Sequence, residues 1–517
     1  MSEKNVTVRE FFVRDYGAVG DGVTDDSLCI GRAVAEAAAF TAATPGARAV
    51  VRFAPDTTYY VYALSGETCK DEGCLVRSPK SDLCIHLIHA CGVTLRGQNT
   101  TLIGEPDKLF LYIACCEDIV IEGLHFTYRV PIGVTATVVR QADNVIDLET
   151  PFPLEYEGDV YHKDFFLFAL PANGRRDHAF YQDIERIAPR VYRIPFVSGG
   201  YPLMEVGTKV YLPVPEYGHR MVGFAIIGCR GSITMRDCLI DEIGSFVFSI
   251  NGNDGRITFD RVRVQPKDPL FCPISSWRDC IHAKDNRGGL TFIRCDFSGN
   301  EDDVLNMSNT MLEVTDVAAD GTVTAWGMNY DNGAFHRIYP GDTVTAIDFV
   351  SGKLYGTTKV KDVLSPEPGK IRLALVDDLG LAAGSTRLSI EEFACPHSLI
   401  RDCRFSGTVR IRGSAVVENT DFDLLQMWTA YENICEGPIP KDITYRNCRF
   451  TRKDKTSIGA MITFADQCDS GCTPEYAVRD IVFTHCRFGD RAMLRLPDGD
   501  GVRLEECTFD DDRPTAG

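Results

Sequence analysis

Long apolar runs are missing from this sequence, and their absence limits where the protein can reside. No stretch approaches the ~18 consecutive apolar residues that a membrane-spanning helix requires. The opening residues 1–17 also contain no apolar core of the length that a signal peptide needs. We therefore expect a soluble, cytoplasmic protein with no membrane partner.

Basic residues are also in short supply. The 517 residues include 54 Lys and Arg against 73 Asp and Glu, which gives a net charge of -19. A nucleic-acid partner requires basic patches that neutralise phosphates, so this composition argues against one and favours a solvated acidic surface. An acidic chain is likewise a poor match for a polyanionic substrate.

What the sequence does contain is a recurring motif of alternating β-formers, one or two charges, a cysteine and an apolar residue. Because the copies are irregularly spaced, they fit a coil that keeps one strand constant while its turns vary in length. The pattern predicts an all-β fold, a right-handed parallel β-helix. The clearest copies are GSITMRDCLI (231–240), GGLTFIRCDF (288–297), HSLIRDCRF (397–405), DITYRNCRF (442–450), DIVFTHCRF (480–488) and GVRLEECTF (501–509).

The cysteines of these copies are expected to stack as buried thiols. Strand alternation sends the same position of every copy to one face, where a thiol packs as a small hydrophobe, so we favour a ladder of free thiols over disulfides. The remaining pairs Cys69/Cys74 and Cys468/Cys472 lack nearby partner Cys or His pairs, which argues against zinc. The stacked set is Cys238, Cys295, Cys403, Cys448, Cys486 and Cys507.

The N-terminal segment is predicted to cap the β-helix. Gly17, Gly20 and Gly22 indicate a turn, after which Asp25, Asp26 or Ser27 can cap a helix whose apolar positions fall near helical period. The spacing of its acidic residues does not fit an EF-hand calcium loop. Those apolar positions are Leu28, Ile30, Ala33, Val34 and Ala37.

Two stretches interrupt the repeat and carry hairpin-like patterns instead. Both contain a similar late element, EVGTKVYL (205–212) and YPGDTVTAI (339–347), so we predict two small β-barrel insertions of related design. Inserted loops of this kind commonly form pocket walls. The predicted organisation is a cap with the first coils at 1–128, a barrel at 129–220, central coils with the site at 221–308, a second barrel at 309–392 and C-terminal coils at 393–517.

The densest group of ionisable residues lies just before the second insertion. Asp279 and the pair Asp302–Asp303 are separated by about one coil, so their carboxylates should lie on neighbouring rungs roughly 5 Å apart. Closely placed carboxylates cannot all ionise easily, which supplies the acid and the base that glycoside hydrolysis needs. The alternative is a set of turn aspartates that satisfy backbone amides or bind calcium.

At these residues the chain resembles a known family. The run RDCIHAKDNRGGLTFIRCDFSGNEDDVLNM is similar to the central motif of glycoside hydrolase family 110, whose members are inverting exo-α-1,3-galactosidases built on a β-helix with β-barrel insertions. The entry YGAVGDGVTDD resembles that of the wider pectin-lyase-like superfamily. The resemblance implies a substrate with terminal α-linked galactose, cleaved without a metal or other cofactor.

The resemblance also implies roles for individual residues. It makes Asp279, Asp302 and Asp303 the catalytic carboxylates and His282 and Asn306 sugar contacts. A less specific match, WTAYENICEGPIPKDITYRNCRF, nominates Trp428, Glu432 and Glu436 for the pocket. By analogy with polygalacturonases, Asp302 is the general acid while Asp279 and Asp303 activate water. The sequence departs from the family at Met307-Ser308, where an apolar residue followed by His is expected.

A few further residues could contact the sugar. Trp277 and Trp428 border the motifs and are candidates for the aromatic platform of a galactose ring, with core packing as the competing interpretation. Lys284 could bind hydroxyls or form an ordinary surface ion pair. Asp302 and Asp303 can share one site only if a turn or bulge breaks the strand there, and Gly299-Asn300 makes a bend plausible.

The expected function is therefore an exo-glycosidase that releases terminal α-galactose with inversion. A polysaccharide lyase, another β-helix glycosidase and a non-catalytic carbohydrate-binding β-helix remain as alternatives. A homodimer is possible, although no residue in the sequence argues for it.

Overall fold

The computed structural model describes most of the chain. The described residues are 6–62, 83–106, 108–142, 145–154, 160–169, 178–195, 204–213, 222–243, 246–269, 273–300, 302–327, 337–348, 353–367, 370–427, 436–450, 462–464, 479–489, 494–495 and 501–510. Within them, no helix is both long and apolar enough to cross a membrane. The two cysteine pairs considered for zinc lie outside the described residues.

The described part of the entry coils contains eight strands and one α-helix. The helix α1, Ser27–Ala43, buries Ile30, Ala33, Val34 and Ala37 against the first coils, as predicted. Leu28 does not follow the prediction, since it is 56% exposed. The strands are β1 Val8–Phe12, β2 Asp21–Asp25, β3 Arg48–Arg52, β4 Thr58–Tyr60, β5 Leu83–Ile88, β6 Val93–Gly104, β7 Leu109–Ala114 and β8 Ile119–Tyr128.

The start of α1 is held by aspartates, although not through the expected side-chain cap. Asp26 occupies the N-cap position, yet its carboxylate accepts hydrogen bonds from the backbone amides of Val19 and Gly20, at 2.6 and 3.0 Å. Asp25 accepts from the amide of Ser27 at 3.0 Å. The acidic pair therefore ties the glycine-rich turn to the helix.

The first insertion is a closed six-stranded antiparallel barrel. Its strands are β9 Gly133–Ala142, β10 Val145–Glu149, β11 Val160–Ala169, β12 His178–Ala188, β13 Val191–Pro195 and β14 Lys209–Pro213. The central coils then resume with β15 Val222–Ile227, β16 Ile233–Arg236, β17 Leu239–Asp241, β18 Phe246–Asn251, β19 Ile257–Asp260, β20 Arg263–Gln265, β21 Ile281–Lys284, β22 Leu290–Ile293, β23 Asp296–Phe297 and β24 Asp303–Thr310.

The second insertion is also a closed six-stranded barrel, so both predicted barrels are confirmed. It is made of β25 Leu312–Val317, β26 Val323–Gly327, β27 Thr343–Asp348, β28 Leu354–Glu367, β29 Lys370–Leu375 and β30 Thr386–Ile390. The last coils contain β31 Ser398–Arg401, β32 Arg404–Ile411, β33 Ala415–Glu418, β34 Asp421–Met427, β35 Glu436–Gly437, β36 Lys441–Arg446, β37 Arg449–Phe450, β38 Ile462–Phe464, β39 Arg479–Thr484, β40 Arg487–Phe488, β41 Leu494–Arg495, β42 Val502–Glu505 and β43 Thr508–Phe509.

Outside the barrels, parallel pairing builds three stacks of strands, which confirms the β-helix. One stack runs β1-β3-β6-β8-β16-β19-β22-β31-β33-β36-β39-β42. A second runs β5-β7-β15-β18-β21-β24-β32-β34-β38-β41. The third contains β17, β20, β23, β37, β40 and β43.

The cysteine motif marks the corner between the first and third stacks. The residue before each motif cysteine has a positive φ, for example +53° at Asp237 and +57° at Asp402, so the chain turns there and the cysteine points inward. The thiols are free and most are buried, and five of the six lie near a carbonyl of the preceding coil, as Cys448 does at 3.6 Å from Val417 O. The predicted thiol ladder is confirmed.

Phenylalanines two positions after a motif cysteine, or after Thr420 in the copy at 414–422 that has no cysteine, extend the same core. Their rings stack from coil to coil at centroid distances of 5.2 to 5.7 Å, and the interior they fill is continuous from the capping helix to the last coil. Since each ring contacts the ring of the next coil, stacking keeps adjacent coils in register. The series is Phe405, Phe422, Phe450, Phe488 and Phe509.

Candidate active site

Neighbouring strands of the second stack carry the predicted site residues. In the register between β21, β24 and β32, His282 lies beside Asn306, and Asn306 lies beside Arg410. One coil separates Asp279 from Asp303, and the amide of Cys280 donates to the carbonyl of Asp303 at 2.9 Å. The interval between the two aspartates in the sequence is therefore one turn of the β-helix.

A corner in the stack turns Asp279 and His282 toward the same side. Strict strand alternation would place residues three apart on opposite faces, but Cys280 and Ile281 both point into the core. The same pair of consecutive inward residues recurs at Val304 and Leu305. Because of this corner, His282 Nδ1 reaches Asp279 Oδ2 at 2.7 Å.

The adjacent aspartates Asp302 and Asp303 reach the same place because the chain bends between them. Asp302 lies in a bend, Gly299 before it has φ +81°, and β24 has a register shift just after Asp303. One carboxylate oxygen from each of Asp279, Asp302 and Asp303 lies within 4.8 Å of the others. Asp302 is exposed, whereas the other two are buried.

Burial and like charge act on Asp279. Burial first, and then the charges of Asp302 and Glu436, raise its pKa well above the usual range. Burial and the neighbouring Lys284 lower the pKa of His282 to about 4, so the imidazole is neutral at pH 7. The 2.7 Å hydrogen bond between them therefore joins a carboxyl group to a neutral ring.

Asp303 is held differently, by a buried ion pair. The guanidinium of Arg410 lies 2.9 Å from its Oδ2, and Arg410 Nε also donates to Gln426 at 3.0 Å. Burial raises the pKa of Asp303 well above its usual range, and the charge of Asp279 adds to this, while Arg410 opposes the rise. Arg410 thus favours the ionised form of a carboxyl group that burial disfavours.

Glu436 is the centre of a second polar cluster beside the three aspartates. Lys284 Nζ and Arg412 each lie 3.1 Å from one of its two carboxylate oxygens, and Asn306 Nδ2 approaches both at 3.4 and 3.5 Å. Burial alone would raise the pKa of Glu436, but Lys284 and Arg412 outweigh it and hold the pKa below the usual range. Glu436 is therefore an ionised acceptor and not an acid.

The backbone that carries Glu436 is fixed by a further buried aspartate. Thr310 pairs with Glu436 in the antiparallel contact of β24 with β35. Asp285 accepts hydrogen bonds from the amide and hydroxyl of Thr310, at 2.7 and 3.0 Å. Asp285 directly follows Lys284, the last residue of β21, so these hydrogen bonds hold the end of β21 against Thr310 at the end of β24.

Trp277, one of the two tryptophans predicted as a sugar platform, lies in the core. Trp277 is 2% exposed, belongs to the core and stacks on Tyr211 of the first barrel at 4.5 Å, so the competing interpretation of core packing is favoured. Trp428 and Glu432 lie outside the described residues. Of the other nominated residues, Asn306, Lys284 and Glu436 all fall within the cluster just described.

Two cations of the site, Arg410 and Arg412, were not predicted. A signal exists in the sequence, since VRIRG at 409–413 alternates arginine with apolar residues and so places both arginines on one face of a strand. Phe246 was also not predicted, and its ring lies 5.0 Å from the ring of His282. It lies in β18, outside the two sequence stretches that resemble the family's motifs.

This arrangement supports acid–base chemistry on a bound molecule. Three converging carboxyl groups, two of them desolvated, can divide the roles of proton donor and proton acceptor. Asp279, Asp302 and Asp303 could also share a cation, as their oxygens are close enough, but Arg410 already supplies positive charge to Asp303.

Comparison with known proteins agrees with this chemistry at low identity, although no family model matches the chain. The chain is 19% identical over 378 residues to alpha-1,3-galactosidase A of Bacteroides fragilis strain ATCC 25285, covering 69% of this chain and 60% of that protein. It is 22% identical over 326 residues to alpha-1,3-galactosidase A of Bacteroides thetaiotaomicron, covering 58% and 55%. The aligned part thus spans at most about three fifths of these relatives.

Solved structures similar to the chain include two carbohydrate-active proteins. One is the A-module of a mannuronan C-5 epimerase from Azotobacter vinelandii, with a TM-score of 0.39, 11% identity and coverage of 96% of this chain and 95% of that one. The other is a family 28 exopolygalacturonase from Yersinia enterocolitica, with a TM-score of 0.32, 12% identity and coverage of 99% and 80%.

The name that the curated relatives carry, alpha-1,3-galactosidase A, agrees with the resemblance to glycoside hydrolase family 110 that the motifs predicted.

Proposed function

We propose that this protein is an exo-acting glycoside hydrolase that releases terminal α-1,3-linked galactose from oligosaccharides with inversion of configuration. The observation that carries the proposal is the convergence of Asp279, Asp302 and Asp303 within 4.8 Å beside a second polar cluster. The names of the curated relatives support the sugar and the linkage. A cytoplasmic location and a homodimer stay predictions from the sequence.

In this proposal Asp302 is the general acid. It is the exposed member of the three, so it is placed to meet the glycosidic oxygen of a substrate that enters from solvent. Asp279 and Asp303 together activate the water. A raised pKa makes each a stronger base, and Arg410 opposes the protonation of Asp303 that would stop it acting as one.

The carboxylate spacing is compatible with inversion but does not require it. Oxygens within 4.8 Å permit carboxyl carbons up to about 7 Å apart, since each C–O bond adds about 1.2 Å. That upper value falls within the roughly 6.5–9.5 Å of inverting enzymes, and smaller values reach the roughly 5–5.5 Å of retaining ones. The anomer of the product is therefore the decisive observation.

The second cluster is proposed to recognise the hydroxyl groups of the sugar. Lys284, Asn306, Arg412 and Glu436 offer donors and acceptors whose positions are fixed by their mutual contacts. These cations are already paired with Glu436, and Arg410 is paired with Asp303. This makes the site a poor receptor for the carboxylate of a uronic acid and disfavours the lyase alternative, which needs such a cation as its base.

The test is a proton NMR time course on an α-1,3-linked galactosyl disaccharide, with EDTA present. β-Galactose should appear first, and Asp302→Asn and Asp303→Asn should each reduce kcat by at least about 100-fold. Asp421→Asn is the matched control, because Asp421 is 53% exposed in its side chain and lies in β34 on the surface of a later coil.

Three outcomes would contradict the proposal. α-Galactose as the first product would make the enzyme retaining, and an unsaturated, ultraviolet-absorbing product from a uronic-acid polymer would make it a lyase. Sugar binding that is unchanged in Asp302→Asn, with no turnover by any variant, would make the protein a carbohydrate-binding β-helix.

A further inference from the structure

An aromatic residue, Phe246, occupies the position beside Asp279 in the preceding coil of the second stack. β18 pairs with β21 in the register Phe248 to Ile281, and the amide of Val247 donates to the carbonyl of Asp279 at 3.1 Å. Phe246 therefore lies one coil, about 4.8 Å, from Asp279. The same corner operates in this coil, because Val247 and Phe248 both point into the core and leave Phe246 on the outside.

The surroundings of Phe246 differ from those of a core phenylalanine. Phe248 is fully buried in the core, whereas Phe246 is only partly buried and is not part of a core cluster. Its ring contacts two polar side chains, the imidazole of His282 at 5.0 Å and the guanidinium of Arg278 at 5.8 Å. Phe246 is thus an apolar surface among the ionisable groups of the site.

Such a surface matches one feature of galactose. The axial C4 hydroxyl leaves the C–H groups at C3, C4 and C5 together on one face of the ring, and an aromatic face attracts C–H groups through its quadrupole. Polar residues at the Glu436 cluster can take the hydroxyls but offer no apolar area. A binding site for this sugar is incomplete without an apolar wall, and among the described residues Phe246 offers a partly exposed aromatic ring beside Asp279.

We infer that Phe246 is the platform on which the terminal sugar of the substrate packs, in the position that Trp277 does not occupy because it lies in the core. This inference rests on the proposed function. The sugar would lie over the Phe246 ring with its reacting carbon toward Asp279 and Asp302. Burial of about 60 Å² of ring surface by a sugar corresponds to about tenfold in affinity.

The competing role for Phe246 is to shield the Asp279–His282 hydrogen bond from water. Leucine at this position keeps the shielding but removes the flat ring, so Phe246→Leu separates the two roles. As a platform, Phe246→Leu and Phe246→Ala should both raise KM about tenfold with a smaller change in kcat, and Phe246→Tyr should restore KM toward the wild-type value. As a shield, Phe246→Leu should match wild type, and Phe246→Ala should shift the pH profile of kcat.

The control and a second readout keep the test decisive. Phe12→Ala removes a 46% exposed ring from β1, which is five strands and about 24 Å along the first stack from β19 of the Phe246 coil, and should leave KM unchanged. Saturation-transfer NMR of methyl α-galactoside on Asp302→Asn should lose its signal when Phe246→Leu is added. If wild type releases no galactose, the proposed function fails. If it does and Phe246→Leu retains both KM and NMR signal, the platform alone is wrong.

Discussion

Replacing Arg410 by methionine should break its buried ion pair with Asp303 and reduce kcat/KM to an extent that depends on pH. The change removes a guanidinium 2.9 Å from Asp303 Oδ2 in a place where the aspartate side chain is 2% exposed and the arginine 17%. The next largest effects on the pKa of Asp303 come from Asp279, Asp302 and Glu436, which are all acidic. Arg412 also interacts with Asp303, but it is paired with Glu436 at 3.1 Å, so burial of Asp303 would be offset much less.

The size of the effect follows from the geometry. Two unit charges about 3 Å apart interact by about 5 kcal/mol at an effective dielectric constant of about 20, and desolvation offsets part of this. Breaking a buried pair typically costs about 3–5 kcal/mol when the remaining charge stays ionised. Asp303 can escape most of that cost by binding a proton, so the loss appears mainly in catalysis.

The loss of activity in Arg410→Met should be greatest at low pH. Loss of the cation raises the pKa of Asp303 further, and a carboxyl group acts as a base only when it is ionised. The acidic limb of the kcat/KM profile should therefore move to higher pH, and activity at pH 5 should fall by about 100-fold, with partial recovery at pH 8. Arg410→Lys keeps the charge and should leave the acidic limb near that of wild type.

The assay is the release of galactose by the wild type, Arg410→Met and Arg410→Lys between pH 4.5 and 9. Arg401→Met, which removes an exposed arginine of β31, is the control for loss of one positive charge. An equal loss of activity at every pH would show that Arg410 contacts the substrate and does not act through Asp303. Superimposable profiles would show that the ion pair has no catalytic role.

Three further outcomes are expected. Burial raises the pKa of Asp285 to about 6, so its contribution to stability is present below about pH 4 and lost as pH rises through 6. The urea midpoint of the wild type should therefore fall over this pH range, and Asp285→Asn should remove the part of the fall that Asp285 causes. Burial raises the pKa of Cys238 to about 12, so iodoacetamide at pH 8 should label exposed Cys91 in the folded protein and Cys238 only after unfolding, as read by peptide mass mapping. Arg287→Met should break the paired hydrogen bonds to Asp342 in the second barrel and lower the free energy of unfolding by about 3–5 kcal/mol, measured in urea.

The repeat explains why so much of the fold was predictable. Each of the six clearest copies has a cysteine and then an apolar residue at fixed positions, and that residue is phenylalanine in five of them. These positions indicate a constant corner and a constant inward face, and stacking repeats the same contacts from coil to coil. The β-helix, the thiol ladder and the two barrels all follow from local patterns. The exposure of Leu28 does not, because helical period alone does not tell which edge of the apolar face meets the first coil.

The site was predicted where its parts are close in sequence. Asp279 and Asp303 are one coil apart, so the stacking of consecutive coils brings them together. Trp277 was a weaker prediction, since a tryptophan beside a motif is equally suited to the core, and only contact with Tyr211 of the first barrel distinguishes the two.

The sequence by itself determined the coil, its inward ladder and the carboxylates that coil length brings together, because each depends on spacing along the chain. Tertiary structure alone decided which groups surround them. Arg410 reaches Asp303 and Glu436 reaches Lys284 across more than 100 residues, because a barrel is inserted between stacked coils. The corner that points two consecutive residues inward also overrides strand alternation and turns Phe246 toward the site. The alternation in VRIRG shows that Arg410 and Arg412 share a face, but the sequence does not show which residues long-range stacking places against that face.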